Sequence, residues 1–187
     1  MNIICINGSP RKGNSFKLLQ QFLKGCSDKG HSTRLIDATE IKISPCMECG
    51  YCSKKGLCRI DDPMTEIRDA LSTCDHIAVA SPVFFFGVSA QLKTLIDRCQ
   101  PLWAKKYILN QDLANNFNFI RKGFFFSTGG FDNEITFKGG ELTVKSFFDA
   151  LSVKYTDKVL VTSMEYITDI NKREDCLQKA YQLGFHL

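Results

Sequence analysis

Five short apolar runs, separated by longer stretches of helical periodicity, constrain this 187-residue chain more than any other feature. The runs Ile3–Asn7, Thr33–Asp37, His76–Ser81, Gly123–Thr128 and Lys158–Ser163 are continuous rather than alternating in hydrophobicity, as strands buried on both faces are. Helical patterns are expected near Ser15–Ser27, Met64–Thr73, Ser89–Ala104, Glu141–Lys154 and Lys172–Gly184. In the first of them Phe16, Leu19, Leu23 and Cys26 fall on one face, the stripe that packs on a sheet, and Gly30 supplies the stop. Asp61-Asp62-Pro63 opens the second with carboxylates at its positive end. Alternation of this kind predicts a parallel sheet with helices on both faces.

Five strands suit a flavodoxin-like α/β three-layer sandwich, strand order 2-1-3-4-5, better than the larger dinucleotide fold. The length fits one domain, residues 1–187, with room for a sizeable core. Composition then narrows function by exclusion. With 44% hydrophobic and 24% charged residues, disordered and collagen-like chains are ruled out. A net charge of +4 is too mild and too scattered to imply a nucleic-acid partner. No apolar run approaches the roughly 18–20 residues of a membrane span, so no membrane partner is expected. Met1–Asn7 reads as a strand rather than a signal peptide, and nine cysteines, an odd number, argue against a disulfide framework. A cytoplasmic chain is the expectation.

Open α/β sheets bind ligands where strands end. Three unusual connections, Gly8–Asn14, Ala38–Pro63 and Pro82–Val88, follow the first three runs; Gly129–Gly140 follows the fourth, and Lys105–Arg121 is a further insert without clean periodicity. The first connection reads Gly8-Ser9-Pro10-Arg11-Lys12-Gly13-Asn14-Ser15 and runs straight into a helix. Glycines permit its tight turn, the helix start offers free N–H groups, and Ser9, Asn14, Ser15 and Arg11 add donors and charge suited to a phosphate oxygen. A nucleotide-hydrolysing P-loop would need Lys where Asn14 stands. Cys5 and Arg11 match the spacing of the small tyrosine phosphatases, but that chemistry needs an exposed thiolate, and Cys5 lies inside the apolar run. A Gly-x-Gly-x-x-Gly fingerprint is absent.

Ser81-Pro82-Val83-Phe84-Phe85-Phe86-Gly87-Val88 follows the third run. Consecutive phenylalanines in a loop cannot all fill one core layer; they either cover a flat apolar ligand in the crevice or plug the sheet end. Ser127-Thr128-Gly129-Gly130 is small enough for a ring to approach the backbone. Phosphate at the first loop with a planar heterocycle between the third and fourth describes a mononucleotide such as FMN. Together with Ser89-Ala90-Gln91-Leu92-Lys93 and Asp97-Arg98, these segments resemble the NADPH-dependent FMN reductase family, and within it the cysteine-bearing branch that includes the iron–sulfur flavoproteins. The likeness runs over essentially the whole chain and is most specific up to Arg98. It implies a flavodoxin-like fold, FMN held by these loops, and a homodimer or homotetramer. On this sequence Ser9, Arg11, Asn14, Ser15 and Phe16 would hold the phosphate end. Pro82, Val83, Phe84, Phe85 and Gly87 would line the isoalloxazine, and Ser127, Thr128, Gly129 and Gly130 would complete the ring site. Phe84 stands where the family often has Tyr, so a hydroxyl contact is missing there.

Cys46-x2-Cys49-x2-Cys52-x5-Cys58 falls in the connection after the second run. These thiols are denser than core packing needs, and Gly50 and Gly56 let the chain fold round a centre. A 4Fe–4S cluster takes four Cys ligands, usually three close together and one further off, whereas structural zinc prefers two separated pairs. The spacing therefore favours a cluster over zinc, with free or redox-active thiols as the other reading. It also resembles the compact motif of the iron–sulfur flavoproteins, although Arg59 replaces the Pro that follows the last Cys of bacterial ferredoxins. Cys5, Cys26, Cys74, Cys99 and Cys176 read as small buried hydrophobes. His31, His76 and His186 make no ligand spacing; Trp103 and Tyr107 at a helix end read as core, as a dimer contact or as the lip of a substrate pocket, of which the contact is favoured.

The function implied is an FMN-dependent oxidoreductase that takes a hydride from NAD(P)H and passes electrons to a quinone, flavin, iron or protein acceptor. No catalytic side chain is assigned, since the chemistry belongs to the cofactor. The alternative is an iron–sulfur flavoprotein or flavodoxin-type carrier without direct NAD(P)H turnover; the positive net charge argues against the acidic docking face of such carriers.

Overall fold

A computed structural model describes residues 1–166 and 169–187 of the chain. Strands β1 (Asn2–Asn7), β2 (Ser32–Asp37), β3 (His76–Pro82), β4 (Lys122–Thr128) and β5 (Lys154–Val161) form one parallel sheet in the order β2-β1-β3-β4-β5. This is the flavodoxin-like order expected from the alternation. The helices are α1 (Asn14–Asp28), α2 (Tyr51–Lys55), α3 (Met64–Thr73), α4 (Ala90–Asp97), α5 (Gln100–Tyr107), α6 (Lys138–Ala150) and α7 (Glu174–Phe185). Among the described residues no helix is long and apolar enough to cross a membrane.

Side chains alternate between two cores. Ile4, Ile6, Ile77, Val79 and Phe125 pack with α3, α4 and α6 on one face. Ile3, Cys5, Ala78, Ala80, Phe124 and Phe126 pack with α1 and α7 on the other. The small Ala78 and Ala80 leave room for Phe22 of α1, whose ring centroid lies 5.1 Å from Phe124 and 5.4 Å from Phe126. On this side α1 and α7 meet backbone to backbone. A Cβ on Gly25 would stand 2.1 Å from the Tyr181 carbonyl oxygen, and one on Gly184 2.2 Å from that of Phe22. Glycine alone permits that approach.

The structure corrects several expectations. The buried stripe of α1 is Leu18, Leu19, Phe22 and Cys26, while Phe16 and Leu23 are only partly covered. The single helix expected over Ser89–Ala104 is two, α4 and α5. The break falls at Arg98-Cys99, where Arg98 turns inward and Pro101 occupies the first turn of α5, the helical position that needs no N–H donor. Strand β5 starts at Lys154, earlier than expected, because polar Thr156 and Asp157 hide its beginning and a register shift opposite Gly123 and Phe124 absorbs them. Helix α5 takes up the start of the expected insert, and Leu113–Asn116 forms a 3-10 turn within it. Cys176 is half-exposed, unlike the other four cysteines read as core.

Arg121 is buried without a carboxylate on its guanidinium. Its Nε donates to Cys74 O (3.0 Å), Nη1 to Leu151 O (2.7 Å) and Nη2 to Leu71 O (2.7 Å), with the Phe117 ring 4.5 Å away. It thereby caps the carbonyl ends of α3 and of the turn after α6 at once. Arg121→Met leaves these acceptors dry, so the free energy of urea unfolding should fall by about 3–5 kcal/mol. A loss below about 1 kcal/mol would mean that water replaces the guanidinium.

Candidate functional site

Loop one is organised by Asn7, the last residue of β1. Its Nδ2 donates to Ser9 O (3.3 Å) and Asp37 Oδ2 (3.1 Å), and its Oδ1 accepts the Ser9 N–H (2.9 Å). Burial alone would raise the Asp37 carboxyl, but donors on Thr39 and Asn7 hold it below its ordinary range. The Ser9 Oγ accepts the Gly13 N–H at 3.2 Å. Helix α1 then begins with no side-chain cap, and the Ser15 Oγ is buried without a hydrogen-bond partner. An uncapped helix start exposes N–H groups and a partial positive charge, and an unmade buried hydrogen bond costs about 1–3 kcal/mol. A phosphate oxygen satisfies both. Of the two loop cations, Lys12 is held by Glu40 (2.6 Å), whereas Arg11 is exposed at the mouth.

The side chain of Asn14 is committed elsewhere. Its Nδ2 donates to Tyr166 O (2.6 Å) and its Oδ1 accepts the Ile170 N–H (3.3 Å), so only its backbone N–H faces a ligand role. Phe16 packs on the α1–α7 core. Cys5 is fully buried, and burial pushes its thiol well above the ordinary range, which removes the phosphatase chemistry.

Loops three and four are stitched together at the neighbouring exits. The Val83 N–H donates to Thr128 O (3.0 Å), Ser127 Oγ to Ser81 O (2.7 Å), and the Ser89 N–H to Ser81 Oγ (3.0 Å). Phe84 and Gly87 exchange backbone bonds of 3.0 and 2.8 Å, which leaves Phe85 and Phe86 at the turn with φ of 48° and 62°. Such turns normally take Asn-Gly, and bulky residues there are strained by about 1–3 kcal/mol each. The turn is seated on α6, where the Gly140 N–H donates to Phe86 O (3.1 Å) and a Cβ on Gly139 would stand 2.5 Å from that oxygen. Phe84, Phe85 and Phe86 are all exposed, Phe85 completely, so they do not plug the sheet end. Pro82, Val83 and Gly87 are half-buried, and Thr128 and Gly129 buried. Gly130 opens on a cavity of about 660 Å³ shared with Phe131, Ser163, Tyr166 and Arg173.

The cysteine loop builds a second concavity, about 640 Å³, beside α4 and α5. Cys46, Cys49, Cys52 and Cys58 all line it, with Arg98 and Trp103 opposite. Gly50 and Gly56, both left-handed, bracket the short α2 between them. Burial pushes the Cys52 thiol up, and the nearby Cys46 and Cys49 sulfurs add to that. Among the described residues no three His, Cys, Asp or Glu side chains are disposed to hold a metal ion, so the thiols line the cavity without converging. Four thiols lining one cavity of this size fit a cluster in donor type and number. The loop is anchored by Asp62, whose carboxylate takes a fork from Arg98 (2.7 and 2.8 Å) and accepts the Ser44 and Met64 N–H groups. That fork, ahead of the cost of burial, holds the Asp62 carboxyl below its ordinary range.

Sequence reasoning passed over Asn7, Asp62 and Arg98 as site residues. A polar residue ending an apolar strand, and an arginine one turn after the buried Leu95, were the available signals.

The fold and the strand exits define a protein of the flavodoxin-like class. Residues 1–130 match the family model described as NADPH-dependent FMN reductase, and the chain belongs to that family. An iron-sulfur flavoprotein of Methanosarcina thermophila is 34% identical over 154 residues, 82% of this chain and 74% of that one. Another from Methanocaldococcus jannaschii is 41% identical over 103 residues, 54% of this chain and 53% of its own, so the chain spans about half the length of that relative. Among solved structures, an azoreductase superposes with a TM-score of 0.73 over the whole of both chains at 12% identity. An NAD(P)H:quinone oxidoreductase from Methanothermobacter marburgensis gives 0.70 at 18% identity, over 100% of this chain and 95% of that one. At such identities these two share the fold.

Phe85→Asp tests the exposed turn. Asp accepts a left-handed backbone more readily than Phe, so the urea midpoint should hold or rise. A lower midpoint would assign the phenylalanines to the core.

Proposed function

We propose that this chain, as one FMN-binding domain over residues 1–187, is an oxidoreductase that takes a hydride from NADPH or NADH and delivers electrons to a quinone, flavin, iron or protein acceptor. The observation that carries the reading is the uncapped start of α1 with its unpartnered Ser15 Oγ. Ser9, Arg11 and Ser15, with the backbone at Asn14 and Phe16, bind the phosphate. Pro82, Val83, Phe84, Phe85 and Gly87 orient the ring and exclude water from its edge, while Ser127, Thr128, Gly129 and Gly130 leave the backbone open to it. FMN, when bound, supplies the hydride-accepting chemistry. The exposed Trp103 and Tyr107 at the end of α5 would anchor a homodimer or homotetramer. The exposed thiols Cys46 and Cys49 suit a reducing compartment, the cytoplasm.

The FMN-loaded protein should oxidise NADPH or NADH in the presence of benzoquinone, free FMN or ferric citrate. Consumption of neither nucleotide with any of these acceptors would overturn the reading. Arg11→Ala should weaken FMN by about 1.5–3 kcal/mol, a Kd rise of about 10- to 150-fold. An unchanged Kd would move the phosphate to another site.

The cysteine cavity favours a second reading alongside the first, in which Cys46, Cys49, Cys52 and Cys58 hold a 4Fe–4S cluster. Such a cluster supplies one-electron transfer between the protein and a partner. The names of the archaeal relatives support it. Anaerobic reconstitution should load about four irons per wild-type chain and clearly fewer on Cys52→Ala. Fewer than about one iron in both would leave the loop with free thiols.

A further inference from the structure

We propose that Arg98 is a positioning residue for the cysteine site, docking the 44–62 loop on α4 and offering the N–H of Nε, its one nitrogen without a partner among the described residues, to the sulfur of Cys58. The inference rests on the reading that these cysteines hold a cluster. Arg98 is 1% exposed and lines the cysteine cavity. Its Nη1 donates to Ser44 O (2.6 Å) and Asp62 Oδ2 (2.7 Å), and its Nη2 to Asp62 Oδ1 (2.8 Å). Both ends of the cysteine-bearing loop thus hang on one guanidinium. The Nε is buried and has no hydrogen-bond partner among the described residues. A buried, oriented donor left over after the fork is complete implies an acceptor inside the cavity. Of the four cysteines that line this cavity with Arg98, Cys58 is the one nearest in the chain to Asp62, four residues before the carboxylate that takes the fork, and is the acceptor we assign. The fork to Asp62 engages only the two Nη groups, so the Nε–H remains to act on sulfur.

A hydrogen bond to a ligating sulfur favours the reduced, more negative state of a cluster and raises its potential. Arg59, also on the cavity lining but exposed, is the control. Wild type, Arg98→Lys and Arg59→Lys are reconstituted anaerobically, counted for iron, and titrated for the cluster midpoint potential by electron paramagnetic resonance. The three are also labelled with Nε-nitrogen-15 arginine and read for hyperfine coupling to the reduced cluster.

Wild type and Arg59→Lys should show the coupling and share one midpoint. Arg98→Lys should keep its iron, lose the coupling and shift to a lower midpoint, with FMN affinity unchanged. No coupling in wild type, or an unshifted midpoint in Arg98→Lys at full iron, overturns the role of Arg98 and leaves the cluster standing. Should Arg98→Lys fail to fold, coupling that survives in Arg59→Lys still assigns the donor, and coupling lost there overturns it. Fewer than about one iron per wild-type chain ends the cluster reading itself and this inference with it.

Discussion

Parallel pairing brings the ends of β1, β2, β3 and β4 to one edge of the sheet, and everything chemical in this chain depends on that edge. Asn7 pairs with Asp37 and Ala80, and Pro82 with Thr128, so loops one, two, three and four leave from adjacent points. Bonds across the exits then tie the loops to one another. Asn7 reaches Asp37, the Gly8 N–H reaches Ala80 O at 2.7 Å, and the Val83 N–H reaches Thr128 O. Cores on both faces hold the strands that make this possible.

The polar groups at the two edges of the sheet meet different partners. At the N-terminal edge Arg121 meets three carbonyls, Asp75 accepts the Asn2 N–H at 2.6 Å, and the His76 Nδ1 accepts the Lys122 N–H at 2.9 Å. Burial lowers the His76 ring to about 4, which keeps it neutral and able to accept. The C-terminal edge carries the uncapped helix, the orphaned Ser15 hydroxyl and two phenylalanines in left-handed backbone. An orphaned hydroxyl and a strained turn at the points where the loops leave the sheet are what a ligand site costs a fold.

Much of this was legible in the sequence, and the misses share a physical cause. Continuous apolar runs gave the strand order because a doubly covered sheet leaves no alternation to confuse. Gly8–Ser15 was legible as an anion loop because its donors are local to one turn of chain. Asn14 was read as a phosphate donor since its type suits that task; its real partners, Tyr166 and Ile170, are remote in sequence. Arg98 and Asp62 form one unit across 36 positions, which no local pattern records. The break between α4 and α5 follows from that ion pair as much as from Pro101. The start of β5 was hidden because Thr156 and Asp157 sit at its partly solvated edge.

Helix α4 joins the two candidate sites in one rigid element. It is capped at its start by Ser89, whose N–H is held by Ser81 at the end of β3, where the loop that carries the phenylalanines begins, and it ends at Arg98 in the cysteine cavity. From Ala90 to Asp97 it has 8 residues, a rise of about 12 Å. Lys93 and Asp97 pair along its exposed face at 2.7 Å, while Leu92 and Leu95 pin the buried face to the sheet. A helix fixed at both ends and along one side transmits position rather than motion. Any shift of the ring loop would have to move Ser89, and any shift of the cysteine loop would have to break the Arg98–Asp62 fork. The anchor points of the two loops, Ser89 and Arg98, are therefore kept a fixed distance apart by one short helix, whatever the loops themselves come to hold.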